Sequence, residues 1–373
     1  SNFYNGKSIV ASETGLFPIY GSNGVIGYSS TYLYENAIIL GRVGANCGSV
    51  FYEVGRFFPS DNTIVVKAKN EDVIEEFLYY SLSVLPLNQL AGGSAQPLIN
   101  QKIVGNLKIK LPNLSNQKKI VGFISNYEKL IEINKKRIQL LENMTEELYK
   151  EWFVRFRFPN CENTFFEKGL PISWERLPLK TLCEEIKNSI KKQDLSEANK
   201  YVGLEHLSRK DIAIYEYSTA DTVESNKLKF QKLDILFSKI RPYLHKVCLA
   251  HFDGVCSTDT IVLRAKNPLY LPYILFTVFN ETFIDLADVS SNGTKMPRAN
   301  WHFLQKVVLS IPPIELMEQF YKICMPILQQ IEVLLNQIEI LRQQKDSLLP
   351  RLISGKVPVE DLDIQFPPSM LDQ

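Results

Sequence analysis

The chain contains an internal duplication of domain size. Residues 60–70 read SDNTIVVKAKN, and residues 257–267, which lie 197 positions later, read STDTIVLRAKN. A second match joins residues 93–97, GSAQP, to residues 293–297, GTKMP, at a distance of 200 positions. Solenoid units repeat every ~20–50 residues, so this much longer period predicts two related domains, each with its own connecting segment.

Length and composition fit two globular domains. The chain has 373 residues, of which 45% are hydrophobic and 22% charged, values typical of soluble proteins. No apolar run approaches the ~20 residues of a transmembrane helix, and the six cysteines are scattered without a C-x-x-C pair. We therefore expect a reduced, cytoplasmic protein without structural zinc or membrane contact. The net charge of +1 leaves nucleic-acid binding undecided, because acidic surface elsewhere can balance a basic face.

Each half ends in a long amphipathic helix with a heptad seam. Ser115 is the expected N-cap of the first helix, and Pro313 is expected in the first turn of the second. The first seam comprises Ile120, Ile124, Tyr127, Ile131, Asn134, Ile138, Leu141, Thr145, Leu148 and Trp152. The second seam, 200 positions later, comprises Phe320, Cys324, Ile327, Ile331, Leu334, Ile338, Leu341, Lys345, Leu348 and Leu352.

Two seams of matched length predict an antiparallel coiled coil between the helices. The alternative is that each helix packs separately on its own globular core. The first seam covers roughly 48 Å at ~1.5 Å per residue, which is the length of a rigid spacer.

The seams and proline-marked boundaries divide the chain into six segments. They are a first globular domain over 1–112, a helix over 113–158, a linker over 159–171, a second globular domain over 172–312, a second helix over 313–356 and a tail over 357–373. Projecting the second domain back by 197 positions places its start before residue 1. We therefore expect the first domain to lack a counterpart of residues 174–197, with its N-terminal part missing.

Local patterns within the globular domains predict a mixture of strands and helices. Strands are predicted over 37–40, 49–52 and 63–66, which are apolar and bounded by glycine or asparagine turns. Short helices are predicted over 72–83 and 272–282. The fold class is therefore α+β, with two similar mixed α/β domains and two long helices.

The chain has no recognisable catalytic motif. It lacks a phosphate-binding loop, and the glycine-rich residues 41–48, GRVGANCG, do not have dinucleotide-binding spacing. The four histidines have no metal-ligand spacing. Residues 267–270, NPLY, approach the NPPY motif of amino-methyltransferases, but no methyl-donor loop precedes them, and we interpret them as a turn. The sequence predicts no catalytic residue, metal or cofactor.

Several stretches resemble the target recognition domains of specificity subunits from type I restriction–modification systems. In the first half these stretches are residues 20–28, YGSNGVIGY, and residues 39–44, ILGRVG, followed by residues 61–63, DNT. In the second half, residues 236–243, LFSKIRPY, followed by residues 256–259, CSTD, are similar to a variant of the same element.

The two helices also resemble conserved helices of that family. Residues 117–121, QKKIV, through 151–154, EWFV, resemble the central conserved helix, and residues 348–357, LLPRLISGKV, resemble the distal one. The order domain, helix, domain, helix is more specific than any single motif. The resemblance implies two target recognition domains separated by two long antiparallel helices that form a coiled coil.

The resemblance implies a non-catalytic reader of double-stranded DNA. Each globular domain would recognise one half of a bipartite, asymmetric target. The helix pair would fix the distance between the halves and dock two methyltransferase subunits, with motor-nuclease subunits joining in the full complex. A spacer of ~48 Å covers about 14 base pairs, enough to separate half-sites by about one helical turn.

Candidate DNA-contacting residues are polar and basic side chains in the loops, because arginine, lysine, asparagine and glutamine make most base and phosphate contacts. In the first domain they are Ser22, Asn23, Arg42, Asn46, Ser94 and Gln96. In the second they are Lys239, Arg241, Tyr243, His245, Lys246, Asn292, Thr294, Lys295 and Arg298. The structural alternative is that Arg42 and Arg241 brace the loops and Asn46 caps a turn.

Two other functions remain open at this stage. One is a two-domain coiled-coil scaffold that does not contact DNA, and the other is a methyltransferase fragment.

The loops of the two copies have diverged, whereas the helical seams keep the same register. This contrast predicts a fixed spacer carrying two different readers, and hence two unlike half-sites.

Overall fold

The computed structural model describes residues 1–12, 14–92, 97–196, 200–221, 223–291, 293, 296–360 and 364. The chain forms two compact units, which we call unit 1 (residues 1–131 and 340–373) and unit 2 (residues 132–339). Each unit combines a globular part with portions of both long helices. Among the described residues, no helix is long and apolar enough to cross a membrane.

Unit 1 is built on one sheet of six strands. Its strands are β1 (Asn2–Asn5), β2 (Phe17–Gly21), β3 (Gly24–Ser29), β4 (Tyr34–Gly41), β5 (Val50–Pro59) and β6 (Thr63–Lys67). Its helices are α1 (Glu75–Ser83), α2 (Gln101–Gly105) and the first part of α3 (Leu114–Tyr149). The strand order is β1-β6-β4-β5-β2-β3, and all pairs are antiparallel except β2 with β5.

The central strands of unit 1 are apolar on both faces because both faces are covered. Successive side chains of a strand point to opposite faces, so Ile38 and Leu40 lie in a cluster with Leu78 of α1. Ile39 points to the other face and packs with Phe57. The continuous apolar run at residues 37–40 therefore predicted a buried strand correctly.

Unit 2 contains shorter strands arranged in several sheets. The strands are β7 (Phe166–Glu167), β8 (Leu170–Pro171), β9 (Glu175–Pro178), β10 (Cys183–Ile186), β11 (Ser189–Ile190), β12 (Lys200–Val202), β13 (Ser218–Thr219), β14 (Lys227–Phe230), β15 (Ile235–Ser238), β16 (Val247–Leu249), β17 (Gly254–Cys256), β18 (Thr260–Ala265) and β19 (Val308–Ile311). Its helices are the second part of α3, α4 (Leu271–Phe279), α5 (Glu281–Val289), α6 (Trp301–Leu304) and the first part of α7 (Ile314–Ile353). The two larger sheets have the orders β10-β18-β15-β16 and β11-β14-β17-β12-β13.

The helix predicted over residues 272–282 is in fact two helices, which meet at Asn280. The Asn280 side chain accepts a hydrogen bond from the Thr282 backbone N–H at 3.0 Å, so it caps α5 while α4 ends. The helix predicted over 72–83 is present but begins at Glu75.

The strand pairing corrects the predicted alignment at the start of the chain. Strand β1 pairs with β6 as β10 pairs with β18, so Asn2 occupies the place of Glu184, 182 positions later. The parallel pairs β2–β5 and β12–β17 give the same offset. The repeat offset of 197 positions is therefore wrong for the start of the chain. The offset there is smaller because unit 2 carries additional residues between β12 and β15. The first domain does have counterparts of β10 and β12.

The two long helices run antiparallel within each unit. In unit 1, Ile120 shares a core cluster with Leu352, and Lys345 Nζ lies 3.2 Å from a carboxylate oxygen of Glu128. In unit 2, the amide of Asn134 contacts that of Gln337, and the ring of Trp152 lies 5.7 Å from that of Phe320. In both units, rising residue numbers on α3 and on the π-helical turn that follows it (Lys150–Val154) meet falling numbers on α7, as the coiled coil requires.

The seam residues are buried or half-buried throughout. None of the twenty positions predicted for the two seams is exposed, whereas Leu140 and Met144 on the outer face of α3 are 63% and 60% exposed. The polar seam positions have hydrogen-bond partners, which lie on the opposite helix for Asn134 and Lys345 and on the same helix for Thr145. Thr145 donates its hydroxyl to the carbonyl of Leu141 at 2.7 Å.

The predicted caps of both helices need small corrections. Helix α3 begins at Leu114, and the side chain of Asn113 accepts the Asn116 backbone N–H at 2.9 Å. Asn113 therefore caps the helix, and Ser115 lies within its first turn. Pro313 immediately precedes α7, and its carbonyl accepts hydrogen bonds from the N–H groups of Leu316 and Met317.

Candidate nucleic-acid interface

Each unit presents one loop held between two neighbouring segments. We call residues 41–49, between β4 and β5, loop 1, and residues 238–246, between β15 and β16, loop 2. Both loops connect antiparallel strands of a sheet. The offset between them is the 197 positions of the sequence repeat.

Three backbone hydrogen bonds hold loop 1. They run from Arg42 N to Asn62 O at 2.9 Å, from Gly44 N to Pro97 O at 3.2 Å and from Ile99 N to Arg42 O at 2.9 Å. They tie the loop to the turn before β6 and to the segment before α2. The backbone of the loop is thus fixed on two sides, and its side chains are free to differ.

The same three hydrogen bonds hold loop 2. They run from Lys239 N to Asp259 O at 2.8 Å, from Arg241 N to Pro297 O at 2.8 Å and from Ala299 N to Lys239 O at 2.8 Å. Each atom is the repeat counterpart of an atom in unit 1. The duplication therefore preserves a hydrogen-bonded loop frame, although Arg241 stands where unit 1 has Gly44.

Two positions of the frame require a left-handed backbone. In loop 1 they are glycines, Gly44 with φ of +77° and Gly48 with φ of +90°. In loop 2 they are Arg241 with φ of +50° and His245 with φ of +51°. A side chain at such a position costs roughly 1–2 kcal/mol. Unit 2 therefore tolerates strain at both positions, which is a common property of functional sites.

The two glycines of loop 1 are expected to differ in their tolerance of alanine. A Cβ at Gly44 would meet open space, whereas a Cβ at Gly48 would lie 2.6 Å from the backbone N of Asn88. Gly44→Ala is expected to cost only the conformational term of roughly 1 kcal/mol. Gly48→Ala adds a backbone clash and is expected to cost at least about twice as much. Urea unfolding followed by circular dichroism measures both, and equal costs would show that the frame around Gly48 is not rigid.

The predicted residues of unit 1 that the structure describes gather around loop 1 but have different environments. Asn23 and Asn46 are exposed. The Ser22 hydroxyl donates to Asn62 O at 2.9 Å and accepts the Val43 N–H at 3.2 Å, so it braces three loops. Arg42 is half-buried, and its Nε finds no acceptor among the described residues. Ser94 and Gln96 lie outside the described residues.

Around loop 2, the structure brings together four of the predicted residues. Arg241 is exposed, and Tyr243 is 52% exposed. Lys239 Nζ donates to Thr258 O at 3.1 Å, and Arg298 forms an ion pair with Asp259 at 3.2 Å. Asn292, Thr294 and Lys295 lie outside the described residues.

The structure corrects the prediction for His245 and qualifies that for Lys246. His245 is only 4% exposed, and its ring packs on Phe279 with the centroids 4.6 Å apart, so its side chain is not on the surface. Burial lowers the pKa of His245, which favours its neutral form. Lys246 is half-buried and donates to the carbonyl of Leu204.

Two basic residues near loop 2 were not among the DNA-contacting candidates predicted from the sequence. Arg209 and Lys210 are exposed, and the backbone N–H of Lys210 donates to His245 O at 2.9 Å. Burial, followed by the charge of Arg209, lowers the pKa of Lys246, which indicates that these two cations are close. Their adjacency in the sequence was a signal, but the repeat comparison did not reach them because they lie among the additional residues of unit 2.

The comparison with known families matches this architecture. The family model described as the type I restriction modification DNA specificity domain matches residues 3–143 and 171–348, which is more than half of the chain. The chain belongs to this family. Its two matched regions correspond to the two copies of the duplication, so the predicted family is confirmed.

Curated members of the DNA specificity family are similar along most of the chain. The type I restriction enzyme MjaIX specificity subunit of Methanocaldococcus jannaschii is 25% identical over 314 residues, covering 78% of this chain and 71% of that protein. The EcoDI specificity subunit of Escherichia coli is 24% identical over 379 residues, covering 92% and 80%.

A solved structure of the family has the same fold. The crystal structure of a type I restriction-modification system S subunit from M. genitalium is 15% identical, with a TM-score of 0.55 over 94% of this chain and 93% of that one. At this identity the likeness supports the fold alone. It confirms the predicted arrangement of two mixed α/β domains with long helices, and family membership supplies the DNA specificity role.

Proposed function

We propose that the chain is a non-catalytic specificity subunit that reads a bipartite, asymmetric double-stranded DNA target. Unit 1 reads one half-site through loop 1, and unit 2 reads the other through loop 2. The observation that carries this proposal is the conserved frame of three backbone hydrogen bonds, which presents different side chains in the two units. One frame with two side-chain sets suits two unlike half-sites.

The chemistry of the loops supports contact with DNA. Arg42 occupies the frame position of Lys239, so both units place a cation at the start of the loop. Arg42 is half-buried, and its guanidinium can donate to phosphate or base oxygens through its terminal nitrogens. Arg241 and Tyr243 present a guanidinium and an aromatic ring at the surface of loop 2.

We further propose that the helix pair docks two methyltransferase subunits, with motor-nuclease subunits completing the assembly. The exposed apolar side chains of α3 include three at spacings of seven and four residues: Ile133 (36%), Leu140 (63%) and Met144 (60%). Such a stripe suits a partner helix. Sedimentation of the chain with its methyltransferase subunit measures the stoichiometry, and two bound subunits per chain are expected.

Protein variants titrated on altered DNA duplexes test whether each unit recognises its own half-site. Arg42→Ala and Arg241→Ala are each titrated, in the chain assembled with its methyltransferase subunit, on duplexes with either half-site scrambled. Each variant is expected to lose about 1–3 kcal/mol of discrimination at one half-site only. The two variants are expected to affect opposite halves, because the loops belong to different units.

The DNA titrations also report the electrostatic contribution. Each lost phosphate contact is expected to lower the slope of log affinity against log salt by roughly 1. Loss of discrimination at the same half-site in both variants would contradict the bipartite assignment. Unchanged affinity and unchanged salt slope in both variants would contradict the assignment of the loops.

A further inference from the structure

Helix α3 carries a buried carboxylate that faces a backbone segment of unit 2. Glu142 is only 6% exposed, and acidic side chains are rarely so buried unless they are paired. Among the ion pairs of the described residues, none involves Glu142. Its carboxylate instead accepts the backbone N–H of Ala213 at 2.8 Å, and the N–H of Ile212 also bonds to it.

The segment held by Glu142 has no regular secondary structure, although it is buried. Ile212, Ala213 and Ile214 are each 2% exposed. Buried N–H groups outside a sheet or helix need an acceptor, and the carbonyl groups inside a helix already bond within the helix. A side-chain carboxylate on α3 therefore supplies the acceptor that the helix backbone does not provide.

The other side of this segment contacts loop 2 and the strand that follows it. The Ile212 carbonyl accepts the Leu249 N–H of β16 at 2.8 Å, and the Lys210 N–H donates to the His245 carbonyl at 2.9 Å. His245 closes the short turn Pro242–Leu244 through its own N–H, which donates to the Pro242 carbonyl at 2.9 Å. Two backbone hydrogen bonds thus link the segment held by Glu142 to the turn that follows Arg241, and a third joins it to β16.

We propose that Glu142 is a positioning residue that fixes the conformation of loop 2 from helix α3. It does not contact DNA itself. This inference rests on the proposed function, in which loop 2 reads one half-site. Glu142 on helix α3 thereby contributes to the DNA specificity of unit 2. Its substitution is expected to have no effect on discrimination at the half-site read by unit 1.

The pH dependence of stability distinguishes a buried carboxylate from its amide. Burial, followed by the charge of Asp211 and more weakly that of Glu146, raises the pKa of Glu142 to about 8. Tyr215 and Cys248 also face it. Because the folded state holds the proton more tightly than the unfolded state, this group stabilises the fold below its ordinary pKa of 4.5, and the contribution is lost as pH rises towards about 8.

Glu142→Gln removes this titration and retains an oxygen acceptor at the same place. The fall in Tm between pH 5 and pH 8 is expected to be smaller in Glu142→Gln than in the unchanged chain. Asp211 shifts in the same direction through its own burial, so Asp211→Asn serves as the comparison. An identical fall in the unchanged chain and in Glu142→Gln would show that the carboxylate is not buried as described.

DNA discrimination tests the positioning role. Glu142→Leu, which removes the acceptor, is compared with Glu142→Gln in the chain assembled with its methyltransferase subunit. On duplexes with one half-site scrambled, Glu142→Leu is expected to lose at least about tenfold in discrimination at the half-site sensitive to Arg241→Ala. Discrimination at the other half-site is expected to stay within twofold, and Glu142→Gln is expected to stay within twofold at both.

Hydrogen exchange keeps the inference testable if Glu142→Leu does not fold. Glu142→Asp keeps the carboxyl group but withdraws the acceptor by one methylene, and faster amide exchange is expected at residues 212–213 and 243–246. Unchanged exchange at residues 243–246, or full discrimination in a folded Glu142→Leu, would overturn the inference. Absence of any discrimination in the unchanged chain would instead overturn the proposed function.

Discussion

Replacing Arg264 by alanine is expected to lower the free energy of unfolding of unit 2 by about 3 kcal/mol or more. The guanidinium Nε and one terminal nitrogen each lie 2.7 Å from a carboxylate oxygen of Asp234, which is only 1% exposed. Removing the arginine leaves a buried carboxylate whose remaining side-chain partner, among the residues that the structure describes, is the Gln231 N–H at 2.7 Å. The three tryptophans, Trp152, Trp174 and Trp301, all lie in unit 2, so fluorescence during urea unfolding reports this unit.

Unit 1 provides the control for this ion pair. At the repeat counterparts of Asp234 and Arg264 it has Ala37 and Lys67, and Lys67 Nζ donates to the Glu35 carbonyl at 2.9 Å. The double variant Asp234→Ala with Arg264→Lys copies this arrangement and removes the uncompensated charge. It is expected to recover much of the lost stability. A double variant no more stable than Arg264→Ala would contradict the account of a buried, uncompensated carboxylate.

Arg241→Gly is expected to weaken DNA binding while making unit 2 slightly more stable. The arginine has φ of +50°, and the equivalent residue of unit 1 is Gly44. Glycine relieves a left-handed strain of about 1–2 kcal/mol but adds flexibility to the unfolded chain, so the net gain is expected to be about 0.5–1 kcal/mol. Loss of the guanidinium is expected to weaken binding about tenfold to a hundredfold, the value of one good base contact.

Lys168→Gly is the matched control for Arg241→Gly. Lys168 is an exposed cation with φ of +51° in the β7–β8 turn, distant in sequence from loop 2. Its replacement removes one positive charge and the same kind of strain. It is expected to give a similar gain in stability without loss of DNA affinity. Equal loss of affinity in both variants would assign the effect to net charge, and unchanged affinity in Arg241→Gly would remove Arg241 from the interface.

The features that were predicted from sequence are those that repeat or alternate. The strand at residues 63–66 and its copy in unit 2 are apolar runs between turns, and both became central strands. The helical seams were predicted because every third or fourth residue of a helix shares a face. These patterns depend on local geometry, which a sequence displays directly.

The features that were not predicted depend on contacts between distant segments. His245 was expected at the surface, but it packs on Phe279, 34 positions later, and the sequence does not show that proximity. The counterpart of β10 was missed because β1 resembles it in pairing and not in sequence. The buried position of Glu142 was not predicted because its partners are backbone N–H groups, which carry no signal in the sequence.

The sequence also does not show which side chains of the loops are exposed. Lys246 and Arg241 lie five positions apart in one basic stretch, yet the first is anchored to the Leu204 carbonyl and the second is exposed. The difference arises from the direction of each side chain in a loop with left-handed residues. Composition predicted a basic loop, and only the structure separates the side chains that brace it from those available to DNA.

Modification-sensitive sequencing of DNA from a host that carries this chain and its methyltransferase subunit tests the central claim most directly. Two units with the same loop frame and different side chains predict a methylated motif made of two short, unlike half-sites separated by a spacer of fixed length. Deletion of the chain is expected to abolish methylation at that motif. A continuous short palindrome, or methylation that persists without the chain, would contradict the account.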